Sequence, residues 1–431
     1  MRPLNDWLAQ QLAQHPKEIE LGLDRVRLVA QRLGLLPWKH PTVIVGGTNG
    51  KGSTVATLTA LGRAAGLRTG TYTSPHLQRY NERIAIDGAP IDDAALCAVF
   101  ERIEAVRTRA GEPVVSLTFF EWGTLAALAA FDAAQVEFVV LEVGLGGRLD
   151  ATNIVDADVA VLCSVSLDHT DWLGPTVEHI GAEKAGIFRA GRPVVLGSED
   201  MPRSVHAALE ALQCRAYWPN RDFRVRIDTD GSWQLVIDDP AAKSFSLGPL
   251  PRPALEGPVQ RSNAAAALVA FAAIDRARLT TDVARSALAN VRLRGRFQRV
   301  PAFPQGGPEW ILDVAHNAAA AAALACALRD HAAGGRTIAI AGILGDKDAT
   351  AIGEALADVV DEWVLAGLEG PRGCDAEGLR RRLPSRCRSS VLAADVAEAC
   401  AAALAIAKPC DRIVVLGSFH TVGPALDWLG L

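Results

Sequence analysis

Long apolar runs, a cysteine pattern and an excess of one sign of charge are all missing from this sequence of 431 residues. No stretch reaches the roughly 18 apolar residues that a membrane-spanning helix needs, and the first residues carry acids instead of an apolar signal core. The eight cysteines lack any C-x-x-C spacing, which argues against a disulfide framework or a zinc site. A formal net charge of -5 gives no reason to expect nucleic acid. The sequence therefore predicts a cytoplasmic protein with no membrane or nucleic-acid partner.

Lysine is scarce as well, because seven of the 44 cationic residues are Lys and the rest are Arg. Lys carries a compact amine, whereas the guanidinium of Arg does not give up its proton in proteins. A chain that otherwise uses Arg therefore draws attention to the Lys residues in motif-like stretches, which are Lys51, Lys184 and Lys347. Lys39 and Lys408 show that Lys also occurs outside such stretches.

Short β-branched runs alternate with Ala- and Leu-rich helical patterns along the chain. Such alternation is typical of a parallel sheet with helices on both faces. Residues 222–250 differ, because their pattern around Asp230 and Gly231 predicts an antiparallel hairpin. The predicted strands are 42–45, 68–73, 136–144, 158–166 and 192–198, and the predicted helices are 54–65, 118–134, 178–191 and 260–274.

A second set of alternating strands and helices follows a Pro- and Gly-rich stretch near residue 300. Its predicted strands are 310–315, 337–343, 362–367 and 411–418. We therefore expect a boundary there, with a larger domain at 1–295 and a smaller doubly wound domain at 296–431.

A Gly-rich stretch, VIVGGTNGKGSTVA at 43–56, departs from the common phosphate loop G-x-x-x-x-G-K-[ST]. Val45 stands at the first Gly position, and Gly52 stands where the hydroxyl is expected. The glycines nevertheless allow backbone N–H groups to face a phosphate at the start of a helix. Lys51 can reach the outer phosphates, and Ser53 or Thr54 can supply a hydroxyl near Mg²⁺. A Gly-rich turn without a ligand is the alternative, but strand, glycines, Lys and helix in this order predict a phosphate site.

Three polar residues at strand ends are candidates for the metal site. Glu142 ends an apolar strand, His169 follows the next one between Asp168 and Asp171, and Ser74 ends a third. The alternatives are a solvent-facing acid, a structural His and a plain cap before a proline.

Two further groups have both a functional and a structural interpretation. Arg148 and Asp150 either orient a substrate or pair with each other. Lys184 either brings an amine near the phosphates or is a solvated Lys paired with Glu183. In the second domain, polar residues end several strands and predict a ligand-binding edge, with ordinary loop polarity as the alternative; these are Asp313, His316, Asn317 and the stretches GILGDKD and LGSFHTVG.

Taken together, the motifs resemble the dihydrofolate synthase/folylpolyglutamate synthase family, the folate branch of the Mur ligases, from about residue 18 to 423. The resemblance rests on GTNGKGS, TSPHLQRYNERI, TFFEWGTLAAL, LEVGLGGRLDATN, DHTDWLG, EKAGIFR, LRGRFQ, LDVAHN, GDKD and GSFHTVG. It explains the loop, since Lys-Gly-Ser is how this family writes it. It implies an α/β fold: a P-loop-type doubly wound N-terminal ATPase domain with a pterin or folate site, and a smaller Rossmann-like C-terminal glutamate ligase domain.

The resemblance implies an ATP-dependent amide ligase. ATP phosphorylates a carboxylate, and the amine of L-glutamate attacks the acyl phosphate. Dihydropteroate and reduced folates are the implied acid substrates. ATP and two Mg²⁺ ions are the implied cofactors, with K⁺ as a further candidate ion. A monomer is expected, since no large apolar surface stripe is visible.

The resemblance also assigns residues. Asn49, Gly50, Lys51, Gly52 and Ser53 would hold the phosphates, and Asn263, Arg296 and Asp313 would contact the nucleotide. Ser74, Glu142 and His169 would bind Mg²⁺, and Lys184 matches a carbamylated lysine that orients a second Mg²⁺. His316 would lie near the acyl phosphate. The pterin segments would be Gly22, Leu23, Asp24 and Arg25; Thr118, Phe119, Phe120 and Glu121; and Leu149, Asp150 and Ala151.

One departure and several alternatives remain open. Ala318 stands where the family usually has Pro after AHN, which loosens a turn but removes no functional group. The alternatives are a UDP-muramoyl amino acid ligase, a monofunctional folylpolyglutamate synthase, a P-loop protein that switches a partner's conformation, and a non-catalytic ATP-binding module.

Overall fold

The computed structural model describes residues 2–15, 20–238, 244–388 and 390–431. The chain forms two compact units. Unit 1 comprises Met1–His76, Tyr80–Ala254 and Arg261–Val291. Unit 2 comprises Leu77–Arg79, Leu255–Gln260 and Arg292–Leu431.

Unit 1 is built on a mostly parallel sheet whose strand order among the described residues is β4-β3-β2-β5-β1-β6-β7-β8. Strands β2, β5, β1, β6, β7 and β8 run parallel, whereas β3 and β4 form an antiparallel edge. The strands are β1 Thr42–Gly46, β2 Thr69–Tyr72, β3 Ile84–Ile86, β4 Ala89–Pro90, β5 Phe138–Glu142, β6 Val159–Leu162, β7 Pro193–Leu196 and β8 Arg215–Tyr217.

Helices cover both faces of this sheet, which explains why its central strands are apolar throughout. In β1, Ile44 packs into the core on one face, and Val43 and Val45 pack into the core on the other. The helices are α1 Leu4–Gln14, α2 Asp24–Arg32, α3 Lys51–Ala64, α4 Asp93–Arg107, α5 Phe119–Ala133, α6 Thr170–Leu173, α7 Val177–Ala185, α8 Arg203–Ala211, α9 Gln260–Ile274 and α10 Thr281–Asn290, with 3-10 turns at Tyr80–Arg83 and Ala151–Ile154.

A small antiparallel sheet joins the second face of unit 1. It pairs β9 Phe223–Ile227, β10 Trp233–Ile237 and β11 Phe245–Leu250 in the order β11-β10-β9. The fully buried Trp233 places this sheet in the same core as α3 and α9. The predicted hairpin is confirmed.

Unit 2 repeats the layered arrangement on a sheet of order β12-β13-β17-β14-β15-β16, in which β12 alone is antiparallel among the described strands. Its elements are β12 Gln298–Val300, β13 Glu309–Leu312, α11 Ala318–Asp330, β14 Thr337–Ala341, α12 Ala349–Leu356, β15 Glu362–Ala366, α13 Ala376–Arg382, β16 Ser390–Ala393, α14 Val396–Ile406, β17 Arg412–Leu416 and α15 Phe419–Trp428, with a 3-10 turn at Ser385–Cys387. The predicted two-part α/β fold class is confirmed.

Two helix predictions need correction. Helix α3 begins at Lys51 rather than Thr54, because Gly50 caps it in a left-handed conformation. Helix α7 ends at Ala185 rather than near residue 191, and Gly186 follows it where Arg148 leaves no room for a side chain.

Two absences hold for the described ranges. No helix there is both long and apolar enough to cross a bilayer. All eight cysteines are free thiols.

Candidate active site

The turn between β1 and α3 depends on two glycines in backbone conformations that other residues rarely adopt. Gly47 has a φ of 139° and Gly50 a φ of 90°. A Cβ at Gly50 would stand 2.7 Å from Oδ1 of Asn263 and 3.3 Å from Cβ of Cys163. The missing side chain thus allows Asn263 of α9 to reach the loop.

The segment after β6 holds the loop in place. The backbone N–H of Thr48 donates to the Ser164 carbonyl at 2.8 Å. The N–H of Asn49 donates to the Ser164 hydroxyl, and that hydroxyl donates to the Asn49 carbonyl, both at 3.0 Å. The Thr48 hydroxyl donates to the Ser166 carbonyl at 3.2 Å. A loop fixed in this way keeps its shape before any phosphate binds.

The Lys51 amine folds back over the loop. Its Nζ donates to the carbonyls of Gly47 at 3.0 Å and Thr48 at 3.2 Å. Gly52 follows it in the first turn of α3, and Ser53 after that is buried. An amine, a helix N-terminus and a hydroxyl therefore share one turn, which is the composition of an anion site.

Ser74 and Glu142 meet at the carboxyl edge of the large sheet. Glu142 ends β5 in register with Val45 of β1 and is only 5% exposed. The backbone N–H of Ser74, just beyond β2, donates to Oε2 of Glu142 at 3.3 Å. The interpretation of Glu142 as a solvent-facing acid is therefore wrong. A hydroxyl-bearing residue and a buried carboxylate lie beside the phosphate loop.

His169 caps α6 with a φ of 51°. Its backbone N–H donates to Oδ1 of Asp168 at 2.9 Å, and its Nε2 lies 3.9 Å from the same oxygen. Among the described residues, no three or more His, Cys, Asp or Glu side chains converge into a complete metal cage. Mg²⁺ needs no such cage, because water and phosphate oxygens supply most of its ligands. The assignment of Ser74, Glu142 and His169 as Mg²⁺ ligands stays a prediction.

Lys184 is a buried amine near the end of α7. It is 5% exposed, and a Cβ at Gly147 would stand 2.8 Å from its carbonyl oxygen. Burial lowers the pKa of Lys184 to about 7, Lys51 adds to the effect, and Asp168 and Asp150 oppose it. The solvated Lys paired with Glu183 is therefore wrong, since Glu183 pairs with Arg148 at 2.7 Å.

Arg148 and Asp150 do not pair with each other. The Asp150 carboxylate accepts from the backbone N–H groups of Gly144 at 3.0 Å, Leu145 at 2.9 Å and Thr152 at 3.0 Å. Burial raises its pKa, and these hydrogen bonds oppose that shift. Asp150 thus organises the 144–152 loop, and its predicted contact with substrate stays a prediction.

The predicted pterin segments contact one another. Arg25 of α2 pairs with Glu121 of α5 at 3.2 Å. Glu121 also closes a capping box with Thr118, which fixes the start of α5. Phe120 lies so close to Gly144 that a Cβ there would stand 2.7 Å from the ring. The segments 21–25 and 118–121 therefore contact each other, and the N–H of Gly144, beside Phe120, donates to Asp150 of the third predicted segment, 149–151.

In unit 2, Asp313 and His316 follow β13. The Asp313 carboxylate accepts from the N–H groups of Phe297 and Ala315, both at 2.8 Å. Burial raises the pKa of Asp313, while Arg296 acts against that rise. Nδ1 of His316 lies 2.9 Å from the Val314 carbonyl, and a carbonyl only accepts, so this nitrogen carries the proton.

Comparison with known proteins identifies the family. The Mur ligase middle domain matches residues 45–217, and the Mur ligase glutamate ligase domain matches residues 295–419. The dihydrofolate synthase/folylpolyglutamate synthase of Escherichia coli is 42% identical over 99% of this chain and 95% of that protein. The chain belongs to the dihydrofolate synthase/folylpolyglutamate synthase family.

Solved members of the family have the same fold. E. coli FolC in complex with DHPP and ADP matches with a TM-score of 0.90 and 42% identity, covering 99% of this chain and 97% of that one. A bifunctional synthase with Mn, AMPPNP and L-glutamate bound matches with a TM-score of 0.89 and 42% identity, covering 100% and 99%. Folylpolyglutamate synthase of Mycobacterium tuberculosis with ADP matches with a TM-score of 0.87 and 31% identity, covering 99% of each chain.

Two buried residues of unit 2 lie in GILGDKD and LGSFHTVG, the stretches from which the sequence predicts a ligand-binding edge. Lys347 follows β14 and is 7% exposed, and Arg382 donates to its carbonyl. Ser418 follows β17 and exchanges a 2.7 Å hydrogen bond with Thr421. Their position at strand ends was the available signal, and only burial separates them from ordinary loop polarity.

Proposed function

We propose that this chain ligates L-glutamate to dihydropteroate, forming dihydrofolate, and to reduced folates, forming folylpolyglutamate. Three results support the proposal: the family, the neighbour that holds DHPP and ADP, and the neighbour that holds Mn, AMPPNP and L-glutamate. Members of this family are ATP-dependent acid–amino-acid ligases. The cofactors are ATP and a divalent metal, for which we propose two Mg²⁺ ions, with K⁺ as a further candidate.

The proposed reaction has two steps. A carboxylate oxygen of the acid substrate attacks the γ-phosphorus of ATP, and ADP leaves. The glutamate amine then attacks the acyl carbon, inorganic phosphate leaves and the nitrogen loses a proton. A carboxylate is a poor electrophile, so the phosphate is needed as a leaving group.

The phosphate loop supplies positive charge where negative charge moves between groups. Its N–H groups and the Lys51 amine would hold the β- and γ-phosphates during transfer. Bound Mg²⁺ would neutralise phosphate charge, with Ser74, Glu142 and His169 as its protein donors. The proposed nucleotide contacts are Asn49, Gly50, Lys51, Gly52, Ser53, Asn263, Arg296 and Asp313.

Lys184 is proposed to carry a carbamate. Its neutral amine would attack CO₂ and lose a proton. The product is a carbamate anion, which can orient a second Mg²⁺. An Arg at this position does not form such an adduct, which accounts for a Lys in a chain that otherwise favours Arg. His316 would lie close to the acyl phosphate and the incoming glutamate.

One observation carries the proposal: the phosphate loop, the Ser74–Glu142 pair and the buried Lys184 amine all belong to unit 1, and the first two lie at one edge of its sheet. We propose that the segments 21–25, 118–121 and 149–151 hold the aromatic acid.

The test is phosphate release with ATP, Mg²⁺ and L-glutamate. Dihydropteroate, a reduced folate and a UDP-muramoyl acceptor would each be offered, and product mass would report the added glutamyl unit. We expect release with the first two and none with the third. Lys51→Met should abolish release, whereas Lys39→Met, at an exposed position, serves as the matched control. Release that needs no acid substrate would refute the ligase.

Two expectations, about cellular location and oligomeric state, remain proposals. We propose that the protein is cytoplasmic and monomeric. Light scattering coupled to size exclusion, with and without nucleotide, would report the mass of the particle.

A further inference from the structure

Arg83 is a buried cation to which the described chain offers no carboxylate. It is 8% exposed, and its Nε donates to Nδ1 of His76 at 2.9 Å. Its other contacts are aromatic, since its guanidinium carbon lies 5.4 Å from the ring centroids of both Tyr80 and Phe119. Ring faces attract a cation but accept no conventional hydrogen bond, and the terminal N–H groups of Arg83 donate to no described residue.

Other buried arginines of this chain are satisfied. Arg107 donates to both oxygens of Glu104, at 2.7 Å and 2.8 Å. Arg412 donates to the Thr337 hydroxyl and to backbone carbonyls, among them that of Leu328 at 2.9 Å. A buried guanidinium without an anion is costly. Arg83 therefore stands out as a cation whose anion comes from outside the chain.

Its position fits the acid substrate. The backbone N–H of Thr73 donates to the Arg83 carbonyl at 2.9 Å, which places Arg83 opposite the residue that precedes Ser74. Phe119, over which the guanidinium lies, belongs to a predicted pterin segment. The Tyr80 hydroxyl itself packs against Gly123 of α5, where an added Cβ would stand 2.9 Å from it, so Tyr80 offers Arg83 its ring face.

We propose that Arg83 binds the carboxylate of the pteroyl substrate, the group that ATP phosphorylates. The inference rests on the proposed function. A guanidinium matches a carboxylate in charge and geometry. The contact would hold a carboxylate oxygen steady for attack on ATP.

The experiment compares two ligands that differ only in the carboxylate: dihydropteroate and its analogue with an unsubstituted aniline ring. Calorimetry measures their affinities for the full chain with Mg²⁺ and AMPPNP present. We expect Arg83→Gln to weaken dihydropteroate binding about 10- to 100-fold and to leave analogue binding unchanged. The dihydropteroate affinity of Arg83→Lys should lie between those of the wild type and Arg83→Gln, because Lys keeps the charge but loses the paired donors.

Arg107→Gln is the matched control, because Arg107 is also buried and lies 5.6 Å from the Trp122 ring centroid, yet has its own carboxylate. It should leave the preference for dihydropteroate unchanged. Equal losses for both ligands in the Arg83 variants, or no loss, would overturn the inference while the proposed function stood. Wild-type protein that bound neither compound would overturn both. Thermal melting of every variant establishes that affinities are compared between folded proteins.

Discussion

At the scale of single residues, the buried Lys184 amine ties stability to pH. Its pKa is lowered to about 7, chiefly by burial and then by Lys51. An unfolded Lys titrates near pH ~10.4, so the unfolded chain binds more protons between about pH 7 and pH 10. Stability therefore rises with pH in that window. Lys184→Met removes this dependence and should exceed the wild type by on the order of a few kcal/mol at about pH 6, and by less at about pH 9.

Urea unfolding in CO₂-free buffers with a metal chelator would measure these differences. Lys39→Met is the control, because Lys39 is exposed in the structure. A Lys184→Met advantage that did not shrink on raising the pH would contradict the assignment of a depressed pKa.

Lys184→Arg tests the carbamate. Arg keeps the positive charge and similar reach but forms no CO₂ adduct, so activity should fall by at least about 100-fold, a loss of roughly 3 kcal/mol of transition-state stabilisation. Wild-type protein in ¹³C-bicarbonate should show a carbamate carbon by NMR, and the variant should not. Full activity in the variant, with its melting temperature unchanged, would remove the carbamate role.

Single-residue chemistry was predictable where it follows strand ends. Ser74 and Glu142 were assigned from that position, and the structure places them together. The partners of Arg148 were not predictable, because Glu183 lies on another element 35 positions away. Arg83 was missed for a related reason: sequence shows a charge but not whether the fold buries it or pairs it.

At the scale of elements, the turn into α3 depends on Gly50. Ala there must adopt a φ near 90° and place Cβ 2.7 Å from Oδ1 of Asn263. The backbone strain alone costs about 1–3 kcal/mol, and moving Asn263 should also weaken nucleotide binding. Gly50→Ala should therefore lower the free energy of unfolding in urea and reduce AMPPNP affinity in calorimetry.

Gly66→Ala provides the control for strain. Gly66 has a φ of 74° just past the end of α3, with no atom within 4 Å of an added Cβ. Gly66→Ala should lower the free energy of unfolding by a similar amount and leave AMPPNP affinity unchanged. If both variants lost the same affinity, general destabilisation rather than displacement of Asn263 would explain the Gly50 result.

Elements with long apolar periods were predicted well, including the central strands and the β9–β10 hairpin. Short elements were not predicted, because β3, β4 and β12 have three residues or fewer and are too short to show a hydrophobic period. The start of α3 was also misplaced, because a helix that opens with Lys-Gly-Ser has no apolar face in its first turn.

At the scale of the whole molecule, alternating strands and helices predicted two α/β domains, at 1–295 and 296–431. Leu77–Arg79 and Leu255–Gln260 lie far from residue 292 in sequence yet belong to unit 2. Contacts between distant segments decide such membership, and no local pattern records them.

Separate cores predict separate unfolding transitions. Buried thiols report on each core: Cys97 and Cys163 in unit 1, Cys387 and Cys400 in unit 2. Thiol labelling along a urea series, detected by mass spectrometry, should show that the two pairs of thiols become reactive at different urea concentrations. AMPPNP with Mg²⁺ at about 100 times its Kd should add up to about 2.7 kcal/mol to the unit that binds it. Because the phosphate loop belongs to unit 1, Cys97 and Cys163 should be protected more than the unit 2 pair. Simultaneous labelling of all four thiols, with and without nucleotide, would show instead that the two cores unfold as one cooperative body.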